Sequence, residues 1–344
     1  MLKKIPTLAD IALAAGVHAS TVSRVMNPET RGMVSADVAK AILEEARKIG
    51  YRPNRAASTL RTRRSNVVGV ILPDITNAVF PPILMGIEEG LRQHGYLAIT
   101  VNVGNDEEEQ RFVVQRLLGQ QVDGLIFATA RRRDAVIDDC VDNDVAVVTV
   151  NRSEESGAVS CVVSDEMIGM QLTVEHLVQL GHRHIAHIAG PDNLSTGHLR
   201  KLGFLDATRA AKLSASQTVV FESTGYSREA GHQAFCEVMR AFPATTAVVA
   251  GNDLVALGCY DGLRELGLGC PAEISIVGHN DMPLMDMVNP PLTTVRIRHR
   301  ELGLEAARLI LQKINQAGAS VVDLRLKPEL IVRGSTAAPR QPAG

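Results

Sequence analysis

From about residue 66 onward, short apolar runs alternate with longer segments whose apolar positions recur every three or four residues. Unbroken apolar runs of this length are typical of strands buried on both faces, and the longer period is typical of helices that cover a sheet. Strands are predicted near residues 67–72, 97–102, 123–128, 145–150, 185–189, 219–221, 246–250 and 274–277, and helices near 82–94, 106–120, 134–143, 168–180, 199–211, 227–241, 254–266 and 282–287. The alternation predicts an α/β fold of two lobes, each with a doubly wound parallel sheet, and a ligand crevice at the carboxyl ends of the strands.

The first fifty residues follow a different pattern, that of three short amphipathic helices. Thr7 and Asp10 have the spacing of a capping box at the start of the first helix, which Gly16 ends because glycine enters the left-handed conformation at little cost. A second helix begins at about His18, and a third runs from the predicted Ser35 cap to residue 49. The apolar positions that should face inward are Leu8, Ile11, Ala12, Ala15, Val22, Val25, Met26, Val38, Ile42, Ala46 and Ile49.

The second of these helices turns small and polar side chains outward. Two short helices around a glycine turn predict a helix-turn-helix, in which the second helix reads DNA. The alternative is a helical bundle that contacts nothing. The distribution of charge favours DNA binding over the idle bundle. Residues 1–64 contain 12 basic and 5 acidic residues, whereas the rest of the chain contains 24 basic and 33 acidic residues. The outward positions are Ala19, Ser20, Ser23 and Arg24.

Other classes of protein find little support in the sequence. There is no apolar run long enough to span a membrane and no signal-peptide pattern, so we expect a cytoplasmic protein. Five cysteines without a paired spacing predict reduced thiols. No phosphate-binding loop, nucleophile elbow or zinc-protease motif occurs, so we expect no enzyme activity and no cofactor. A metal site is not expected at His182, His184 and His187, because residues 184 and 187 lie on opposite faces of a strand.

The motifs of the head resemble those of the LacI/GalR family of transcription regulators, and the resemblance continues to about residue 334. It rests on Thr7-Leu-Ala-Asp-Ile-Ala, Ala15-Gly-Val, Thr21-Val-Ser-Arg-Val, Asn27 and the segment Gly50-Tyr-Arg-Pro-Asn-Arg-Ala-Ala. It implies a helix-turn-helix domain at 1–51, a hinge at 52–64 and an effector-binding domain at 65–340 with the periplasmic-binding-protein fold. Lobe 1 is expected at about 65–165 and 294–324, and lobe 2 at about 166–292 and 325–340, with crossings near 164–168, 291–295 and 323–328.

The sequence of the hinge predicts a short helix that forms only with a partner. Proline at position 53 stops the third helix, Asn54 can cap a new one, and two turns of helix alone are marginal in water. The resemblance implies that paired hinge helices enter the minor groove, with Arg55 among the contacts, a small residue at Ala57 and an apolar wedge at Leu60. The alternative is a flexible basic linker.

The resemblance also implies roles for individual side chains in binding DNA. Ala19, Ser20 and Arg24 are candidates to read bases, and Thr21 and Ser23 are candidates to hold phosphates. Thr7, at the start of the first helix, is a further candidate. A pseudo-palindromic operator and a homodimer follow from the same resemblance.

The effector cleft is expected where loops follow the strands. The candidates are Val79, Phe80, Asn151, Arg152, Thr196, Arg200, Asn252 and Asn280. Two departures from the family pattern affect chemistry: Val79 leaves one aromatic stacking face missing, and Asn280 stands where the family has a carboxylate that binds sugar hydroxyls. With two arginines nearby, the cleft suits a sugar acid or another carboxylate, although a neutral sugar or nucleobase is an open alternative.

Together these features predict an effector-controlled DNA-binding regulator, with repression as the family's commoner role. The alternatives are a transport-type binding protein of the same two-lobed fold, which would need export, and a sugar-processing enzyme, for which no site is visible.

Overall fold

The computed structural model describes residues 6–27, 30–51, 64–316 and 318–340. The chain divides into two compact units, Met1–Ser65 and Asn66–Gly344. The hinge candidates Asn54, Arg55, Ala57 and Leu60 lie outside the described residues, so their roles stay predictions.

The described part of the first unit contains three α-helices around a small apolar core. They are α1 (Leu8–Ala15), α2 (Ala19–Met26) and α3 (Ala36–Lys48), with a 3-10 turn at Arg31–Met33 between the last two. Gly16 ends α1 in the left-handed conformation, as its sequence position predicts. Ser35 occupies the cap position of α3 but its side chain makes no capping hydrogen bond. The buried core is formed by Ile11, Ala12, Val22, Val25, Ala39, Ile42 and Ala46.

Lobe 1 of the second unit is a six-stranded sheet, parallel throughout. Its strands are β1 (Val67–Leu72), β2 (Leu97–Asn102), β3 (Gly124–Phe127), β4 (Val147–Val150), β5 (Ser160–Ser164) and β11 (Asp323–Leu326), in the order β11-β5-β4-β3-β1-β2. Its helices are α4 (Phe80–Gln93), α5 (Glu107–Gly119), α6 (Ala135–Asp142) and α11 (His299–Asn315). The reversal of strand order beside β1 is the switch point at which such sheets bind ligands.

Lobe 2 repeats the plan with one antiparallel edge strand. Its strands are β6 (Ile185–Ala189), β7 (Thr218–Glu222), β8 (Ala247–Ala250), β9 (Ser275–Asn280), β10 (Thr293–Arg296) and β12 (Glu329–Ile331), in the order β12-β10-β9-β8-β6-β7. Strand β12 pairs antiparallel with β10, a departure from the wholly parallel sheet that the sequence predicts. Its helices are α7 (Glu166–Gln179), α8 (Ser195–Ala210), α9 (Arg228–Ala241) and α10 (Asp253–Leu266).

The pairing corrects the predicted lobe boundaries. Strand β10, expected in lobe 1 from residue 294, pairs with β9 of lobe 2. Strand β11, predicted to leave lobe 1 at residue 324, pairs with β5 through Leu326. The chain therefore crosses between lobes at 164–166, after β10 at 297–298, and at 327–328. The sequence pattern did not predict four of the strands, β5, β10, β11 and β12, or the helix α11.

The predicted helix at 282–287 is also wrong. Residues 281–292 form turns, and Leu284 has a φ of 74°, which no α-helix contains. Met282 and Met285 are buried, so their spacing reflects side chains that pack on the lobe 2 core. Among the described residues, no helix is both long and apolar enough to cross a membrane.

Candidate functional site

The outer face of α2 carries the residues that the sequence assigns to DNA. Ala19, Ser20, Ser23 and Arg24 are exposed, and Thr21 is half-buried. Val22 and Val25 on the opposite face have no exposed surface and anchor the helix in the head. The helix therefore presents a continuous polar strip whose only charged residue, within the described helix, is Arg24.

Both short helices of the head have side-chain caps. Asp10 N–H donates to Thr7 Oγ1 at 3.4 Å, and Thr7 N–H donates to Asp10 Oδ2 at 2.7 Å, which completes the predicted capping box. The Thr7 hydroxyl also donates to Asp10. His18 caps α2, because its Nδ1 accepts from Ser20 N–H at 3.2 Å and lies 2.8 Å from Ser20 Oγ. Histidine thus takes the place that serine or aspartate commonly fills.

All eight residues that the sequence assigns to the effector line one cavity between the lobes. Lobe 1 and lobe 2 contribute equally to its wall. The lining residues are Asn77, Val79, Phe80, Asn151 and Arg152 from lobe 1, and Thr196, Arg200, Tyr226, Asn252 and Asn280 from lobe 2. Each of these residues lies at the end of a strand, in the loop after it, or in the first two turns of the next helix. This is the edge at which parallel sheets bind ligands.

Two of the lining asparagines have unusual backbone conformations. Asn151 has a φ of 66° and Asn280 a φ of 111°. Asparagine tolerates the left-handed region better than other residues with a side chain, and backbone strain of this kind clusters at ligand sites. The conformations turn the chain sharply where β4 and β9 end at the cavity.

Arg200 is the centre of a buried polar network. Its side chain forms a bidentate pair with Glu166, at 2.6 Å and 3.0 Å, and donates to Gly251 O at 2.6 Å and to Asn280 Oδ1 at 3.2 Å. Burial alone would raise the pKa of Glu166, but Arg200 and then His279 lower it to about 2. The charge of Arg200 is therefore compensated inside the protein.

Arg152 lies in a contrasting environment. Its side chain is 6% exposed and forms no ion pair within the described residues, and its one hydrogen bond there is a long one of 3.4 Å to Asn105 Oδ1. Burial lowers the pKa of this guanidinium to about 10, and Tyr226 only partly opposes the effect. Arg152 thus stays charged at neutral pH without a counter-ion.

Besides Asn77, three residues of the site are absent from the candidates that the sequence predicts. Tyr226 donates from its hydroxyl to Thr196 Oγ1 at 3.1 Å, and its ring lies 5.9 Å from the Arg200 guanidinium, so lobe 2 supplies an aromatic face that Val79 does not. Glu166 begins α7 immediately after the first crossing. His279 Nε2 lies 3.0 Å from Glu166 Oε2 in poor hydrogen-bond alignment. Tyr226 follows a predicted strand and His279 precedes the candidate Asn280, whereas Glu166 follows β5, which the sequence did not predict.

The lobes also touch at the rim of the cavity. Arg132 of lobe 1 pairs with Asp192 of lobe 2 at 2.9 Å, and its N–H donates to Asn193 O at 3.0 Å. Ser153 N–H donates across the cleft to Ser195 Oγ at 2.9 Å. These contacts place Arg132 at the rim of the cavity.

Two histidines near residue 184 are buried and bond to other groups of the protein. His182 bonds to Thr246, Ser275 and Ala337 O, and His187 bonds to Val249 O. Elsewhere, His232, Cys236 and Glu265 on α9 and α10 bring their ligand atoms within 4.8 Å of one another. Among the described residues, this is the one group of three such side chains close enough to share an ion.

Comparison with known proteins agrees with this architecture. Residues 7–54 match the profile of bacterial regulatory proteins of the lacI family, and residues 174–336 match a periplasmic binding protein-like domain. The chain is 33% identical to the HTH-type transcriptional regulator MalR of Streptomyces coelicolor, covering 96% of each chain. It is 29% identical to the regulator GalS of Salmonella typhimurium, again over 96% of each.

A solved structure supports the same assignment over nearly the whole chain. The lac repressor dimer bound to operator and an anti-inducer has a TM-score of 0.86, with 28% identity over 97% of this chain and 100% of that one. These relatives are transcription regulators, so the comparisons support neither an enzyme nor a transport protein. The chain belongs to the lacI family of bacterial regulatory proteins.

Proposed function

We propose that the chain represses transcription as a homodimer that reads a pseudo-palindromic operator and releases or holds it according to a small molecule in the cleft. The observation that carries this proposal is the exposed polar strip of α2 on a basic head, in a chain whose second unit contains a cavity between two lobes. The lac repressor, a dimer that binds operator DNA, supports the dimer and the operator, and the repressor CytR of Escherichia coli, 29% identical, supports repression. Such a protein acts on the chromosome in the cytoplasm.

Within the head, Arg24 is the residue we expect to carry most of the base readout. A guanidinium donates two parallel hydrogen bonds to guanine in the major groove, and such a pair contributes about 1–3 kcal/mol of discrimination. Ala19 and Ser20 are small, and the Ser20 hydroxyl already contacts His18. We expect them to permit close approach or to act through water, while Thr7, Thr21 and Ser23 hold phosphates.

The hinge supplies the second half of DNA recognition in this proposal. Asn54, Arg55, Ala57 and Leu60 would form a helix only when two subunits meet on the duplex, with Leu60 opening a base step in the minor groove. A central step that bends easily should then be favoured in the operator.

Selection of bound duplexes from a random pool by the full chain at moderate salt tests the proposal. We expect an enriched pseudo-palindrome with a flexible pyrimidine–purine step at its centre. The same selection with Arg24→Gln should lose the preference at one base pair in each half-site, because its bidentate pair is gone.

The matched control is Arg209→Gln, which removes an exposed arginine from lobe 2. It should return the same sequences as the unchanged chain. Failure to enrich any sequence, or enrichment of sites without two-fold symmetry, would contradict the proposed reading of DNA.

A further inference from the structure

We propose that the cleft is built for a compact organic acid with one carboxylate, such as a sugar acid, and not for a neutral sugar. This inference rests on the proposed function, since it names the chemical class of the effector that would occupy the cavity.

The lining presents hydrogen-bond donors in excess of acceptors. Three lining asparagines have their side-chain oxygen engaged by the protein: Asn77 Oδ1 accepts from Val79 N–H, Asn252 Oδ1 from Val255 N–H, and Asn280 Oδ1 from Arg200. The Nδ2 atoms of these three residues form no hydrogen bond within the described part of the chain. Both N–H bonds of each amide are therefore free for a ligand, whereas each oxygen already accepts one hydrogen bond, which favours a ligand rich in acceptors.

The charge of the cavity also favours an anionic ligand. Of the described residues that line it, none is acidic and two are arginines. Glu166, behind the wall, compensates Arg200 at both of its oxygens. Arg152, at 6% exposure, has no such partner. A buried charge without a counter-ion is unfavourable, and a bound carboxylate would supply the missing charge in the fork geometry that a guanidinium recognises.

The number of charges narrows the class further. One uncompensated positive charge matches a single carboxylate, whereas a phosphate ester would bring close to two negative charges. Tyr226 and Phe80 provide ring surface for the carbon chain of the ligand.

Matched pairs of probes test the inference on the full chain. The probes are gluconate beside sorbitol, galacturonate beside galactose, glycerate beside glycerol, and inorganic phosphate. The rise of the melting temperature and the calorimetric Kd are measured for each. We expect at least one acid to bind about tenfold or more tightly than its neutral counterpart, since one charged hydrogen-bonded pair is worth at least that factor.

Two variants connect the preference to Arg152. Arg152→Gln should abolish the preference for the acid, and it should leave the melting temperature of the ligand-free chain unchanged or raised, because the residue it removes is an unpaired buried charge. Arg200→Gln should lower that temperature, because it leaves Glu166 unpaired. Arg209→Gln on the surface should change neither quantity.

Several results would overturn the inference. They are equal binding of the neutral probes, preference for phosphate, an acid preference that survives Arg152→Gln, or no stabilisation by any acid above its counterpart. Duplex selection is an independent measurement, so a failed ligand class with a selected palindrome leaves the proposed function standing. Acid binding without any selected duplex would instead count against the proposed function.

Discussion

Two arginines of the cleft, Arg152 and Arg200, are both buried yet differ in what surrounds them. Arg200 faces a carboxylate, a carbonyl oxygen and an amide oxygen, whereas Arg152 reaches one amide oxygen at 3.4 Å. Breaking a buried ion pair by removing one partner is costly, because it leaves the other charge without compensation. Stability and ligand binding are therefore separable at these two residues.

Substitution of Glu166 by glutamine should destabilise the effector-binding unit strongly. Glu166 and Arg200 are each 3% exposed in their side chains, and the change leaves Arg200 charged and unpaired, at a cost of about 3–5 kcal/mol in the free energy of unfolding. Urea unfolding at neutral pH measures the loss. Glu175→Gln, on the exposed face of the same helix, should change stability by less than about 0.5 kcal/mol.

Acid should remove the difference in unfolding free energy between the unchanged chain and Glu166→Gln. The pKa of Glu166 is about 2 in the folded chain, below its ordinary value of 4.5, so its ionised form is favoured by folding. The stabilisation that the ionised Glu166 gives to the folded chain is complete above pH 4.5 and falls as the pH drops toward 2. The difference in unfolding free energy between the two chains should narrow over this interval, and a difference that stays constant would contradict the assigned pairing.

At the scale of elements, helices α4 and α11 of lobe 1 approach each other through glycines. A Cβ at Gly303 would lie 2.0 Å from Ile83 O, and one at Gly86 would lie 2.2 Å from Arg300 O. Backbone atoms cannot move aside as a flexible side chain can, so only glycine permits this distance between the helices. Helix α11, which the sequence pattern did not predict, thus packs directly against the backbone of α4.

Gly303→Ala should lower stability by about 1–3 kcal/mol, since separation of the helices outweighs the gain of up to about 1 kcal/mol from the better helix former. Gly119→Ala, in α5 where nothing lies within 4 Å of the added methyl, should be neutral or slightly stabilising. Thermal unfolding of the two variants gives the comparison. Equal effects at the two sites would show that the close approach is not what requires glycine at position 303.

The sequence predicted which residues meet at the cleft better than the path of the chain between the lobes. All eight effector candidates line one cavity, because strand ends and positions such as Asn252-Asp253 can be read locally. Glu166 was missed, because nothing in its neighbourhood shows that Arg200, 34 positions away, meets it. Strand β10 was assigned to the wrong lobe for a similar reason, since only its pairing with β9 decides which sheet it joins.

At the scale of the whole effector-binding unit, three crossings connect the lobes and a few rim contacts bridge them. Asp192 and Arg132 form the ionic contact, with the backbone bond from Arg132 to Asn193 and the bond from Ser153 to Ser195 beside it. These bonds are few and partly exposed, so the lobes should separate and close at small cost. Such an element can be biased by a ligand.

Asp192→Asn should make this rim open more often. The ion pair is half-exposed and worth about 0.2–1 kcal/mol, so amide exchange at Arg132 and Ser153 should speed up by at most about fivefold. Hydrogen exchange followed by mass spectrometry measures the peptides that contain these amides. Asp206→Asn, which breaks an exposed pair within α8 alone, should leave both rates unchanged. Unaltered exchange in Asp192→Asn would mean that the pair does not hold the lobes together.

Occupation of the cleft and binding of DNA should be coupled in one chain. Fluorescence anisotropy measures the affinity of the full chain for its selected duplex, with and without a saturating ligand of the cleft. We expect a change of about fivefold or more in Kd, and an equal change in ligand affinity when the duplex is present. In Arg152→Gln the change should be lost while affinity for the duplex alone is kept. A ligand that fills the cleft and leaves the Kd for DNA unchanged would contradict this coupling.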